Sequence, residues 1–375
     1  MTQWRVPLAD VNVTDEDIAA VVETYRTGWL SMGPRTEALE EQFAAFTGSR
    51  HALAVTNGTA ALHLACLAAR VGPGDEVVVP SLTFVASVNA IAYTRATPVF
   101  ADIVSVTEPW LSASAAETAI GPRTAAIMTV AYGGHPGETA ALRDVAERHG
   151  LALLEDAAHA AGSRATGRHL GTFGAVGAFS FFSNKNLAIG EGGMVVTDDD
   201  EVAARLRLLR SHGMTTLTWD RHRGHASSYD VVALGYNYRL DEPRAALALS
   251  RLARLESENE QRRALVARYR QAFGDARRFA VALPPAANAV SAEHLFTIVL
   301  DEGVERDTFR ATLADQGIQT SVHYPPVHTF SIYGGGAAEL PVTSSYGART
   351  VTLPLYSHMT DEQVDLVADA VLRAA

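Results

Sequence analysis

Two residues carry the chemistry open to this sequence, a lysine and an aspartate 29 positions apart. Lys185 stands in Ser183-Asn184-Lys185-Asn186-Leu187-Ala188-Ile189-Gly190-Glu191-Gly192-Gly193, directly after the apolar run Ala178-Phe179-Ser180-Phe181-Phe182. A lysine between a packed run and a glycine-rich turn is poorly hydrated, which disfavours the ammonium and leaves an amine able to attack a carbonyl carbon. Asp156 ends a second apolar run, Leu151-Ala152-Leu153-Leu154-Glu155-Asp156, and only small residues separate it from His159. A carboxylate in that position can hold a proton on a ring nitrogen; a helix cap or a metal ligand is the plainer use. A Schiff-base amine together with a ring-nitrogen carboxylate is the pair that pyridoxal phosphate chemistry needs.

Other motifs fall at similar places. In Thr56-Asn57-Gly58-Thr59-Ala60-Ala61-Leu62-His63-Leu64 a polar turn opens an Ala/Leu helix. Its first N–H groups, the helix dipole and the Thr59 hydroxyl make a phosphate site, although an ordinary N-cap looks the same. There is no G-x-x-x-x-G-K-[ST], and Gly171, Gly174 and Gly177 have the wrong spacing for G-x-G-x-x-G, so nucleotide hydrolysis and NAD chemistry lose their main support. Ser180, at the end of an apolar run, can reach a phosphate. Phe84, in Pro80-Ser81-Leu82-Thr83-Phe84, can stack on a flat ring or serve as core. Gly235-Tyr236-Asn237-Tyr238-Arg239 suits packing or an interface, and His323-Tyr324-Pro325-Pro326 can roof a pocket.

Something must hold these residues together. Short apolar runs at Glu76–Val79, Thr97–Phe100, Ala125–Val130, Leu151–Leu154, Ala175–Phe181 and Met194–Val196 alternate with helix-like stretches such as Glu138–His149. That alternation predicts an α/β fold with a mainly parallel sheet between helices, where ligands bind at the carboxyl ends of strands. A long helix is expected over Pro243–Gly274, then a strand near His294–Leu300, a helix near Arg306–Gln316, a strand near Gln319–Tyr324, a loop at Gly334–Ala338 and a closing helix after Asp361. The expected division is a large domain over 1–245, N-terminal segment included, and a small C-terminal α+β domain over 246–375. At 375 residues, 47% of them apolar, the chain can bury a large core. One cysteine, Cys66, excludes an internal disulfide framework; it reads as a core residue of a helix. A net charge of −11 argues against nucleic acid or an anionic membrane as partner, and the 13 histidines show no metal-ligand spacing. Neither a signal peptide nor a spanning segment is evident, which points to the cytoplasm.

The same residues carry a resemblance to the DegT/DnrJ-type aminotransferases, pyridoxal-phosphate enzymes of fold type I that act mainly on nucleotide-linked keto-sugars and related cyclitols. It runs from Gly28-Trp29-Leu30-Ser31-Met32-Gly33-Pro34 through Asn57–Leu64, Gly74–Pro80, Thr83-Phe84 and Thr97–Asp102. It is strongest at Glu155–Ala160, Phe179–Phe181, Lys185 with Gly190–Gly193, and Gly235–Arg239. The resemblance implies a seven-stranded sheet, a Schiff base at Lys185 and an Asp156 partner for the pyridine nitrogen. It also implies Phe84 against the ring and Gly58, Thr59 and Ser180 on the phosphate. Asn237 matches a position that reaches the phosphate from a second subunit, which implies a homodimer with shared active sites. The family often has serine in place of Asn57 and glutamine in place of His159, so the protonation of His159 is an open question. Ser31, Arg35, Arg239, His323 and Tyr324 are candidate substrate contacts.

The reaction implied is transfer of an amino group from L-glutamate to a keto-sugar. By the same resemblance, Glu191 in Gly-Glu-Gly-Gly tilts the site towards C4 of a dTDP-4-keto-6-deoxyhexose, with C3-keto-sugars and cyclitol or aminobenzoate-type substrates as alternatives. A dehydratase of the family would carry histidine where Lys185 stands. A regulatory protein that binds pyridoxal phosphate without turnover is the reading outside catalysis.

Overall fold

The computed structural model describes residues 4–216, 228–274, 276–336 and 338–375. A large sheet contains β1 (His51–Val55), β2 (Glu76–Pro80), β3 (Thr97–Ala101), β4 (Thr124–Val130), β5 (Ala152–Asp156), β6 (Val176–Ser180) and β7 (Gly193–Thr197). The order across it is β1-β7-β6-β5-β4-β2-β3. Strands β2 to β6 run parallel, and β7 is antiparallel to both of its neighbours. This is the expected seven-stranded architecture. Six strands stand where the apolar runs predict them; β1, an alanine-rich run just ahead of the Asn57 turn, is the seventh.

Both faces of the sheet are covered, so successive residues must be apolar. Val77 and Val79 of β2 face one core with the helices Gly58–Ala68 and Val85–Tyr93, while Val78 faces another with Leu142 and Val145 of the helix Thr139–His149. Further along, Ala178 of β6 belongs to the first core, and Phe179 faces a third built with Leu39, Phe43, Ala245 and Ala248. The period of two is what lets one strand serve two layers. Cys66 is buried in the helix Gly58–Ala68, its thiol pushed up to about 12 by burial.

A smaller antiparallel sheet is formed by β8 (Phe279–Val281), β9 (Phe296–Leu300) and β10 (Thr350–Leu353), in that order. The helices Leu255–Ala272, Arg306–Asp315 and Asp361–Ala374 share its core. The N-terminal segment joins here: Val6 is fully buried in this core and bridges Ile318, and the Leu355 N–H donates to Leu8 O at 3.1 Å.

Two expected elements differ. The long helix is two, Glu242–Leu252 and Leu255–Ala272. The break lets the first half pack on the helices Asp15–Thr27 and Pro34–Thr47 while the second packs on the smaller sheet. The expected strand over 319–324 is reduced to a single bridge, Ser321 with Thr352, just after Ile318 bridges Val6. Beyond Ser321 the chain turns away from the sheet into a cleft, and Pro325 and Pro326 have no N–H with which to continue a ladder. Gly334, Gly335 and Gly336 all have positive φ, a turn as expected; Ala337 lies outside the described residues.

Candidate active site

The carboxyl ends of the large sheet open into a cavity of about 510 Å³. Residues 181–192 link β6 to β7 across those ends and carry Lys185 on its wall. The turn is closed by its own backbone, with Lys185 N–H donating to Phe182 O and Ile189 N–H to Phe181 O, both at 2.9 Å. Burial pulls the Lys185 ammonium down from 10.5 to about 8, and the Asp156 carboxylate opposes that fall.

Asp156, at the end of β5, is 5% exposed. Ser87 Oγ donates to its Oδ2 at 2.6 Å and the Ala158 N–H to its Oδ1 at 3.1 Å. Burial raises its pKa; these two donors and the Lys185 charge act the other way. Thr83 Oγ1 lies 2.6 Å from Ser87 Oγ and fixes that hydroxyl.

His159 resolves the protonation question. The Gly133 N–H donates to its Nδ1 at 3.2 Å, so that nitrogen is bare and Nε2 carries the proton, donating to the Tyr324 hydroxyl at 3.1 Å. Burial first, then the charges of Lys185 and His323, hold its pKa well below the ordinary value. The ring is neutral.

Tyr324 roofs the cleft, its ring 5.7 Å from that of Phe84, and burial raises its phenol. The preceding peptide bond is cis. His323 is held by Thr352 Oγ1 at 2.8 Å from Nδ1, and burial, reinforced by Lys185, lowers it to about 4. Phe84 is 56% exposed, a bare aromatic face rather than core.

At the other end, Asn57 caps the helix Gly58–Ala68 by accepting from the Ala60 N–H at 2.8 Å. That leaves the N–H groups of Gly58 and Thr59 at the dipole's positive end. A Cβ on Gly58 would stand 2.8 Å from Ser180 Cβ, so only glycine lets this turn close on Ser180. The set fits pyridoxal phosphate: an amine brought down to about 8 by burial, a buried acceptor for a ring proton, a flat aromatic, and a helix terminus beside two hydroxyls.

Of the candidate substrate residues, His323 and Tyr324 line this cleft together with Asn184 and Glu191. Ser31 and Arg35 are exposed, and Arg35 borders a separate groove with Trp29 and Glu242. Asn237 is exposed and Arg239 half-buried; neither lines the cleft of its own chain, although Tyr238 O accepts the Thr56 N–H at 2.9 Å beside the phosphate turn. Ser87 and Thr83, which fix the Asp156 carboxylate, are the residues around this cleft that sequence reasoning did not single out. Their spacing of four at the start of the helix Val85–Tyr93 is common to any helix and singles neither out.

A mainly parallel seven-stranded sheet that presents a buried aspartate at one strand end and a lysine on the neighbouring hairpin is the arrangement of the fold type I pyridoxal-phosphate enzymes. A sequence model of the DegT/DnrJ/EryC1/StrS aminotransferase family matches residues 11–372, and the chain belongs to that family. Among solved structures, DesV from S. venezuelae is 39% identical, with a TM-score of 0.91 and 98% of each chain covered. The aminotransferase TlmJ from Streptoalloteichus hindustanus is 33% identical at a TM-score of 0.92, again over 98% of each chain. Spr1654 from Streptococcus pneumoniae, in its PLP form, is 28% identical at a TM-score of 0.91 over 98% of each chain. No helix among the described residues is long and apolar enough to cross a membrane.

Proposed function

We propose that the protein moves an amino group from L-glutamate to C4 of a dTDP-4-keto-6-deoxyhexose, as a cytoplasmic homodimer with shared active sites. The observation that carries the reading is the convergence of Lys185, Asp156 and neutral His159 in one cleft, with Glu191 on its wall. A division of the chain near residue 245 belongs to the same reading: the large sheet ends at Thr197 and the small one begins at Phe279.

In this reading Lys185 would anchor pyridoxal phosphate, Gly58, Thr59 and Ser180 would hold its phosphate, and Phe84 would cover its ring. Bound there, the cofactor supplies an electron sink that makes the proton on the amine-bearing carbon removable. Asp156 keeps a proton on the ring nitrogen, and Ser87 and Ala158 fix the carboxylate for that task. His159 would present its Nε2–H to the phenolic oxygen in place of the Tyr324 hydroxyl that accepts it here. Lys185 would be the base that takes the proton from the substrate carbon and gives it back; an amine held at about 8 is suited to both directions. Tyr324 and His323 close the roof and keep water out.

Lys185 is the one cationic side chain on the walls of this cleft among the described residues. Phosphate, glutamate and a nucleotide-linked sugar are all anionic, which supports a second subunit supplying Asn237, and Arg239 beside it. Ser31 and Arg35 are further candidates for the sugar nucleotide.

The test is to offer the purified, pyridoxal-phosphate-loaded protein glutamate and then C3-keto-sugar nucleotides, C4-keto-sugar nucleotides and a cyclitol ketone. Bleaching of the yellow form by glutamate, and amine formed at C4, is the expected result. Bleaching followed by amination at C3 or of the cyclitol would overturn the substrate. A yellow form indifferent to every amine would overturn catalysis and leave a pyridoxal-phosphate-binding regulator.

A further inference from the structure

His294 lies at the entry to β9, outside the residues used above, and is 6% exposed. Its ring centroid is 4.3 Å from that of His159, tilted by 41°. Its Nδ1 meets Asn186 Oδ1 at 2.9 Å. The orientation of that amide is fixed, because Asn186 Nδ2 donates to Asn259 Oδ1 and to Ala292 O, each at 2.7 Å. The oxygen of Asn186 therefore faces His294, and His294 must carry its proton on Nδ1. His294 Nε2 is then a bare acceptor; it is buried with no hydrogen-bond partner among the described residues. His294 also borders a small cavity of about 20 Å³, shared with Asn184 and His323 and large enough for one water.

The backbone reinforces the arrangement. The His294 N–H donates to Gly133 O at 2.9 Å, and the Gly133 N–H is the donor that leaves His159 Nδ1 bare. The Ala292 N–H donates to Ser163 Oγ at 2.9 Å, whose proton goes to Gly134 O at 2.7 Å. The segment 292–294 thus clamps the turn that sets the tautomer of His159, while Asn186, next to Lys185, clamps His294.

We propose that His294 is a positioning residue for the transamination: held by Asn186, its ring locks the His159 imidazole in the tautomer and orientation that present Nε2–H to the cofactor's phenolic oxygen. The idea rests on the reading of the cleft given above, but the lock itself exists without cofactor. A buried ring with one face packed on an immobile neighbour has little room to turn, and a rotated His159 would lose Gly133 and Tyr324 together.

The experiment is ¹⁵N NMR of imidazole-labelled protein, with and without pyridoxal phosphate, in which His159 is assigned by the signals absent from His159→Gln. Wild type should show a bare Nδ1 and a protonated Nε2. Two variants remove the lock from opposite sides: His294→Phe keeps a ring against His159 but has no tie to Asn186, and His294→Asn keeps a donor for Asn186 but has no ring. Each should give His159 signals averaged between tautomers. In the loaded enzyme each should shift the pH titration of the cofactor's absorption band and lower kcat about tenfold, with KM for glutamate within about twofold. A wild-type His159 pattern in the Phe variant would reduce His294 to an apolar filler, and the same pattern in the Asn variant would make the ring contact irrelevant; either overturns the proposal. Because the tautomer is read first in cofactor-free protein, failure of the lock is distinguishable from failure of the cofactor reading, which would show as wild type that does not take up colour.

Discussion

Glu155 and Asp156 are neighbours at the end of β5, and the sheet sends them into opposite surroundings. Glu155 points into a closed pocket where the N–H groups of Gly171 and Gly174 donate to its two oxygens at 2.7 and 2.6 Å. Asp156 points into the open cleft and meets Ser87, Ala158 and the field of Lys185. Burial raises both carboxylates, Glu155 to about 7. Yet only one of them faces space that a ligand can enter. Glu155 ties a loop whose glycines allow contact no side chain would permit, since a Cβ on Gly177 would stand 2.0 Å from Gly171 O. Identical chemistry at adjacent positions becomes scaffold on one face and site on the other.

Removing the cleft's nucleophile should separate the two faces most sharply. Lys185→Ala is expected to fold, lose the absorption band of the bound cofactor and lose more than about 10³-fold in turnover, measured by coupled assay and spectrum. Asp156→Asn should cost about 10²- to 10³-fold in kcat at nearly unchanged thermal stability. In the cofactor-free form of that variant, Lys185 should titrate below its wild-type value of about 8, because the charge that raises it is gone. Ser87→Ala withdraws one donor from Asp156 and should weaken cofactor affinity by about fivefold to tenfold, read by titration of the absorption band. Glu155→Gln should leave kcat within about twofold and change stability instead. The folded-state pKa of Glu155 lies above its ordinary 4.5, so the folded protein holds a proton that the unfolded chain releases as pH rises from 4.5 to about 7. Glu155 therefore makes stability fall across that window, and thermal melts of the Gln variant should lose that slope.

The large sheet was legible because strands buried on both faces carry apolar runs, as β2 and β4 to β7 do; β3, at the sheet edge and only partly buried, still shows the short run over 98–101. The break at Ala253-Arg254 was not, because each half of that region is a good helix former and only the different partners of the halves separate them. Lys185, Asp156, Gly58 and Ser180 could be read because strand-to-turn transitions mark the ends where ligands bind. Ser87 and His294 could not. Their roles depend on what lies across the fold, Asp156 for the one and Asn186 with His159 for the other, and neither sits in a motif of its own. Asn237 shows the opposite limit: the sequence marks it, but within one chain it faces outward.

The reversed direction of β7 bears on how the site is assembled. Lys185 sits on a local hairpin, with Ser180 paired to Gly193, whereas Asp156 is held by parallel pairing of β5 with β4 and β6, each a crossover connection away. Local closures form faster than distant ones. During folding the lysine turn should be in place before the wall that shields it, so pyridoxal phosphate added to a refolding chain meets an accessible amine first and its pocket afterwards.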